Sequence, residues 1–364
     1  KEVNFMFFYL LSYICLFFYS FYEIFMKKVY TKIRAISLGL LFSLFFGLMA
    51  GLRYGIGTDY FTYLYLFENI NNLDSLLYKN NWVEPGFKFL IYFFNQIGFT
   101  EPLIFLSFAL ITLSLLFSGI KKNTKHVVFS FFVYFCVFYI GYVFNVMRQG
   151  IVMALFVYLL KDIQNRNLLK VAILTLIGMT IHYSAIFIIM AYFVYNLNLT
   201  KWRIISIISV SLILILINEY YSQLVFYLVP DYVSQKLKSY IEFRGHGGLS
   251  IINVSQRLFL LILFILFFDK LKLKKSNFQG LFNIYVLGFV LYAIFSIQGL
   301  FATRINMFFR ILEVILIPYL IEVQGKKDMK VFIYLTIILW ISAVFIRELM
   351  DPDNFPFKTI FSSN

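Results

Sequence analysis

Residues 102–122 read PLIFLSFALITLSLLFSGIKK, an apolar run of 19 positions that stops on two lysines. About 20 mostly apolar residues in a helix cross the roughly 30 Å hydrocarbon core of a bilayer. Comparable runs lie at 5–26, 35–52, 102–120, 127–145, 147–160, 168–182, 184–199, 204–218, 257–268, 279–298, 304–323 and 331–347. The 364 residues are 61% hydrophobic, 21% aromatic and only 14% charged, and the mean hydropathy is +0.83. Soluble domains carry about a quarter charged residues. The chain therefore reads as all-α: a polytopic membrane helix bundle of about twelve transmembrane helices, a single integral membrane domain over 1–364. Two longer polar stretches, 53–101 and 219–256, are expected as extracytoplasmic loops. Within the first, 86–98 (GFKFLIYFFNQIG) is apolar but short, so an interfacial or re-entrant helix is expected there.

The first run is too long for a signal h-region and ends in lysines, so no cleaved signal peptide is expected. Cys15 and Cys136 fall inside apolar runs and read as small core hydrophobes, not a disulfide or metal framework. The net charge of +14 does not point to nucleic acid, because the basic residues sit in short clusters between apolar runs.

Those clusters orient the chain. Lys27, Lys28, Lys32 and Arg34 follow the first run, and Lys121, Lys122 and Lys125 the third. Lys161, Arg166 and Lys170 follow the fifth, and Lys201 and Arg203 the seventh. Lys270, Lys272, Lys274 and Lys275 follow the ninth, and Lys326, Lys327 and Lys330 the eleventh. All six follow odd-numbered runs, so the positive-inside rule places them together on the cytoplasmic side. On that assignment 16 of 22 lysines are cytoplasmic, whereas 7 of 10 arginines are not: Arg53, Arg148, Arg244, Arg257, Arg304, Arg310 and Arg347. An orienting signal does not distinguish the two residue types, but the planar guanidinium grips phosphate oxygens two at a time. Snorkelling or pairing accounts for any one arginine; the group points to an anionic ligand at the outer face.

Arg53 lies in GLRYGIGTDY (51–60), among glycines that allow close backbone approach. Asp59 has two readings, an N-cap for the helix that follows or a general base at the membrane surface. Tyr60, Tyr63 and Phe67 share one helical face, as an interfacial belt or a wall against a sugar. Arg148 and Gln149 stand at an outer hairpin where a charge is costly unless paired or facing water. Arg304 opens the eleventh run; Arg310 either pairs with Glu313 at i,i+3 or joins Arg304 as a phosphate ligand. His182 ends the sixth run at the same depth as Arg53 and Arg148, as a structural hydrogen-bonder or a site residue. Arg244 and His246, in EFRGHGGLS (242–250), read as a mobile lid. No nucleotide-binding or clustered Cys/His motif occurs, and the first outer stretch has no close acidic pair to hold a cation. Metal-independent transfer from a phosphate leaving group is the chemistry expected, with no cofactor.

The segments GLRYGIGTDYFTY, EPGFKFL, NVMRQGIVMA, IHYSAIFII, TRINMFF and NFPFKTIF stand in the order found in EpsG-like proteins, which this chain resembles from Gly51 to its C-terminus. These are a branch of the Wzy-type polymerases of bacterial exopolysaccharide, capsule and O-antigen. The resemblance implies a GT-C-like membrane glycosyltransferase of the bacterial cytoplasmic (inner) membrane with its active site facing outward. Its donor and acceptor would be oligosaccharide repeat units on polyprenyl (undecaprenyl) pyrophosphate, in contact with membrane lipids, with a chain-length regulator protein as a further partner and no nucleic acid. By matched position, Arg53, Asp59, Arg148, Gln149, His182 and Arg304 carry the family's polar motifs. The chain departs at the last motif, where Phe355-Pro356-Phe357 replaces the usual Pro-Tyr. The expected assignment is a pyrophosphate clamp of Arg53, Arg148, Gln149, Arg304 and Arg310, with Asp59, Glu84 or His182 acting on the acceptor hydroxyl. A lipid-linked oligosaccharide flippase and a membrane acyltransferase are the rival readings.

Overall fold

The computed structural model describes residues 3–26, 32–78, 82–244, 249–351, 354 and 358–361. Among them nineteen α-helices follow one another: α1 (Val3–Phe25), α2 (Lys32–Leu52), α3 (Tyr60–Asn69), α4 (Leu73–Tyr78), α5 (Pro85–Gln96), α6 (Glu101–Asn123), α7 (Val127–Tyr134), α8 (Met147–Gln164), α9 (Leu168–Ile181), α10 (Ile186–Val194), α11 (Lys201–Leu216), α12 (Asn218–Leu228), α13 (Asp231–Arg244), α14 (Ile251–Leu266), α15 (Phe268–Lys274), α16 (Phe278–Ile294), α17 (Gly299–Arg310), α18 (Glu313–Glu322) and α19 (Lys327–Leu349). A π-helix, Phe135–Asn145, joins α7 to α8, and a 3₁₀ turn, Tyr183–Ala185, joins α9 to α10. No strand occurs among the described residues, and the all-helical membrane fold stands.

The number of crossings is not reproduced. Among the described residues four helical stretches are long and apolar enough to span: Phe7–Phe25, Glu101–Asn123, Val127–Asn145 and Lys327–Leu349. Six do if each sharply bent pair, α11 with α12 and α14 with α15, counts as one span. Four more apolar helices, Ile36–Leu52, Leu168–Ile181, Tyr183–Val194 and Phe278–Ile294, are shorter. Runs that looked continuous are interrupted: 304–323 breaks at a turn over Ile311–Leu312, which separates Arg310 at the end of α17 from Glu313 at the start of α18. The i,i+3 spacing imagined for that pair therefore does not lie within one helix. The polar stretches are not plain loops either; 53–101 folds into α3, α4 and α5, and α5 is the short apolar helix expected at 86–98.

Contacts divide the chain into two units, Lys1–Ile189 with Glu313–Asn364, and Met190–Leu312. In the first, α2, α6 and α8 pack side by side. Gly119 of α6 makes this possible: a Cβ there would come within 2.6 Å of the Val157 backbone, so the backbones meet as small residues allow in membrane bundles. The continuous α7–π helix is the centre of this unit, with nearly every residue buried. Its first turn is held by a residue from α1. Glu23, itself buried, accepts from the Val128 and Phe129 N–H groups at 3.2 and 2.9 Å, satisfying donors that a helix start leaves without partners. Tyr13–Ser342 (2.6 Å) and Ser20–Tyr334 (2.9 Å) link α1 to α19.

In the second unit α16 packs on α11 and α17. Its interior holds an arginine. Arg257, read from sequence as an outer-face cation, is buried, with Nε donating to Asn306 Oδ1 at 2.6 Å, Nη1 to the Asn253 carbonyl at 2.7 Å, and its guanidinium 4.1 Å from the Tyr292 ring centre. Asn306 in turn donates to the Gly288 carbonyl at 2.9 Å.

Candidate functional site

Where α2 ends, the chain turns on two glycines in left-handed conformations, Gly55 (φ 63°) and Gly57 (φ 100°). A side chain at 57 would also be blocked, because a Cβ would lie 2.3 Å from Asn145 Oδ1. The same amide oxygen accepts from Thr58 Oγ1 at 3.5 Å, and Asn145 Nδ2 donates to Asn354 Oδ1 at 3.2 Å. The closing segment pairs beside it, with Tyr54 N donating to the Lys358 carbonyl and Ile360 N to the Leu52 carbonyl, at 2.9 and 3.0 Å. Three motifs far apart in sequence, 51–60, 145–150 and 354–361, thus meet at one place in the first unit. Phe355-Pro356-Phe357 lie outside the described residues.

Arg53 turns inward there. It is 0% exposed. Its guanidinium donates to the Ala50 carbonyl and to the Phe144 carbonyl (3.0 Å) and lies among aromatic rings, 4.2 Å from the Phe105 centre and 4.9 Å from that of Phe144. Burial lowers its pKa to about 10, so it stays cationic at neutral pH. The side chain fastens the exit of α2 to the end of the π-helix, where a run of i→i+5 winding finishes with Val146 N on the Gly141 carbonyl at 2.9 Å.

Just past that point, at the start of α8, Arg148 is the cation that reaches the surface, 19% exposed. It is paired with Glu84, which is 3% exposed. Glu84 stands at the N-cap position of α5, ahead of Pro85, yet its carboxylate makes no capping bond. One oxygen takes the Arg148 guanidinium and the other accepts from Tyr183 N at 3.4 Å. The Tyr63 hydroxyl faces the same guanidinium, and burial above all raises its pKa, so it remains protonated. The rings of Trp82 and Phe87 lie 5.7 and 5.8 Å from the guanidinium carbon. Gln149, beside Arg148, is buried.

His182 sits between α9 and the 3₁₀ turn with an extended backbone, next to the Tyr183 N–H that Glu84 accepts. Its Nδ1 accepts from the Ser184 N–H at 3.2 Å and lies 2.7 Å from Ser184 Oγ. A backbone donor on Nδ1 leaves the neutral ring's proton on Nε2. Asp59 occupies the N-cap position of α3, but its side chain makes no capping bond; Thr58 Oγ1 approaches it at 3.5 Å. The N-cap reading is thus met by position and not by the carboxylate. The rings of Tyr60, Tyr63 and Phe67 are buried against Phe105, Phe87 and Phe108 as interior packing, while the Tyr63 hydroxyl faces Arg148.

The remaining expected residues belong to the second unit. Arg304 of α17 donates to the Tyr240 hydroxyl of α13. Arg310 is buried, 3.1 Å from Met307 Sδ. Arg244 ends α13, and His246 lies outside the described residues, so the lid remains an expectation. No set of three His, Cys, Asp or Glu side chains gathers as metal ligands among the described residues. Asn145 and Asn354 are the participants sequence reasoning passed over, although both stand in quoted motifs, and Asn145 is a lone amide ending an apolar run.

A model of the EpsG family matches residues 36–359, nearly the whole length. The chain belongs to the EpsG family. No curated protein and no solved structure matches it. Membership carries a coarse assignment: a multi-pass membrane protein of the polysaccharide-polymerase kind, a glycosyltransferase-type enzyme acting on lipid-linked saccharides.

Proposed function

We propose that this EpsG-family chain joins oligosaccharide repeat units carried on polyprenyl pyrophosphate, at the outer face of the cytoplasmic membrane, and that Arg148 and Glu84 are its reaction centre. The observation that carries this reading is the pair itself. A partly exposed arginine held by a buried carboxylate suits the role of a phosphate ligand with a resident counter-ion, poised to exchange that carboxylate for a phosphate oxygen. Arg53, which sequence alone placed in the clamp, is assigned a positioning role, because its guanidinium is already taken up by backbone carbonyls beneath the site.

The donor's pyrophosphate would bind Arg148, with the protonated Tyr63 hydroxyl and the His182 Nε2–H as further donors. Glu84, relieved of its partner, would accept the proton of the acceptor sugar's hydroxyl. That oxygen forms a bond to the donor's anomeric carbon as the bond from this carbon to the phosphate oxygen breaks. Polyprenyl pyrophosphate departs with the bonding electrons, and its growing negative charge is what the fixed donors stabilise. Asp59, within electrostatic reach of Tyr63, fits the acceptor's side of the site. Sugar identity and linkage are left to the acceptor contacts.

Purified protein in lipid discs, given polyprenyl-pyrophosphate-linked repeat units without added metal, should yield a ladder of lengthened glycans on a gel. Translocation of units that never lengthen would replace this reading with the flippase. Transfer of an acyl group would replace it with the acyltransferase.

A further inference from the structure

At the other end of the Val127–Asn145 helix from Asn145, the first unit has a charged cavity of about 530 Å³. Lys326, Lys327, Lys330 and His126 line it, against one acid, Glu322. The other edge is apolar: Ile24, Phe25 and Met26, at the end of the membrane-spanning α1. Lys330 is anchored into this wall, with Nζ donating to the Ile24 carbonyl at 2.7 Å over the Phe25 ring. Lys326 and Lys327 are exposed at the start of α19. Gly325 lines it from an exposed position, where a Cβ would meet nothing within 4 Å.

We infer that this cavity holds the phosphodiester of an anionic phospholipid. Three lysines and a histidine against a single carboxylate favour an anion. A lining that is cationic on one edge and continuous with a spanning helix on the other matches a headgroup still attached to its acyl chains. Basic pockets between membrane helices at the lysine-rich face take lipid headgroups in this way. A bare phosphate would satisfy the lysines but leave the apolar edge unused. The inference does not depend on the reaction assigned to Arg148, whose site lies beyond the opposite end of the helix.

Native mass spectrometry of the full chain, released from micelles containing phosphatidylglycerol and phosphatidylcholine in equal amounts, reads the occupant directly. A phosphatidylglycerol adduct is expected in preference to phosphatidylcholine, weakened about fivefold for each charge lost in Lys326→Gln and Lys327→Gln. Gly325→Leu adds bulk to the exposed side of the lining, where there is room for it, and should weaken the adduct while leaving Tm unchanged. Equal retention of both lipids overturns the inference, as does an adduct that survives the double lysine variant undiminished. Displacement of the adduct by an equimolar amount of inorganic phosphate assigns the cavity to a free anion and overturns the lipid source.

Discussion

Arg148 and Glu84 form an ion pair across 64 residues of sequence, joining the first turn of α8 to the head of α5, and Glu84 has almost no access to water. An acid buried this deeply needs its cation. Removing one member of a buried pair costs about 3–5 kcal/mol because the other charge is stranded. Arg148 keeps some contact with solvent, so about 2 kcal/mol is expected here.

A double-mutant cycle tests the pair. Arg148→Ala and Glu84→Ala should each lower Tm, and the double variant should be more stable than the sum of the two losses implies. For chemistry, Arg148→Ala should cut polymerisation by about 100-fold or more, as loss of a preorganised donor to developing charge does. Glu84→Gln keeps the shape and one hydrogen bond. It should hold Tm within a few degrees while lowering kcat about 100-fold. Full turnover by Glu84→Gln would move the base elsewhere, with Asp59 the next residue to test.

Gly57 is a prediction about backbone. Its φ of 100° and the 2.3 Å separation of a would-be Cβ from Asn145 Oδ1 are independent obstacles. Gly57→Ala should cost about 2–3 kcal/mol, the sum of left-handed strain and overpacking. Adding Asn145→Ala relieves the clash but not the strain, so thermal melts should show only partial recovery. Complete recovery would mean that packing alone had required the glycine.

Much of this architecture was legible because membrane burial is written in composition. The run at 102–120 is α6, that at 331–347 lies within α19, and the weak apolar patch at 86–98 is α5. What composition does not encode is where a helix changes its winding. The run 127–145 ends in eleven residues of π-helix, a change of one residue per hydrogen-bonded turn that leaves hydropathy untouched. The site was legible in its residue types and not in its pairings. Arg53 and Arg148 are the same side chain in similar polar motifs, yet one is enclosed by carbonyls and rings and the other meets a carboxylate. Only the tertiary fold distinguishes them.

Glu23 gives a prediction remote from the site. Its carboxylate holds two N–H groups at the start of α7, the most enclosed helix of the first unit. Glu23→Ala leaves both donors without that acceptor, and loss of a capping side chain costs about 0.5–2 kcal/mol. Enclosure from water favours the upper end. Melting in detergent should fall accordingly, while the KM for lipid-linked substrate stays unchanged in the folded fraction. A rise in KM would tie this cap to the distant site.

The two arginines can be separated by one conservative substitution applied to each. Lysine preserves charge but loses the planar fork that bonds two acceptors and stacks on rings. Arg53 gives both terminal nitrogens of that fork to the protein, on the Ala50 and Phe144 carbonyls, and lies against Phe105. Arg53→Lys should therefore lower stability by about 2 kcal/mol for one lost charged hydrogen bond, read as a lower Tm, and reduce activity in proportion to folded protein. Arg148 is assigned to the ligand, so Arg148→Lys should leave Tm nearly intact, since an ammonium still answers Glu84, while kcat/KM drops about tenfold or more. The opposite pattern, a stable but inactive Arg53→Lys and an active Arg148→Lys, would return Arg53 to the substrate and make Arg148 a structural counter-ion.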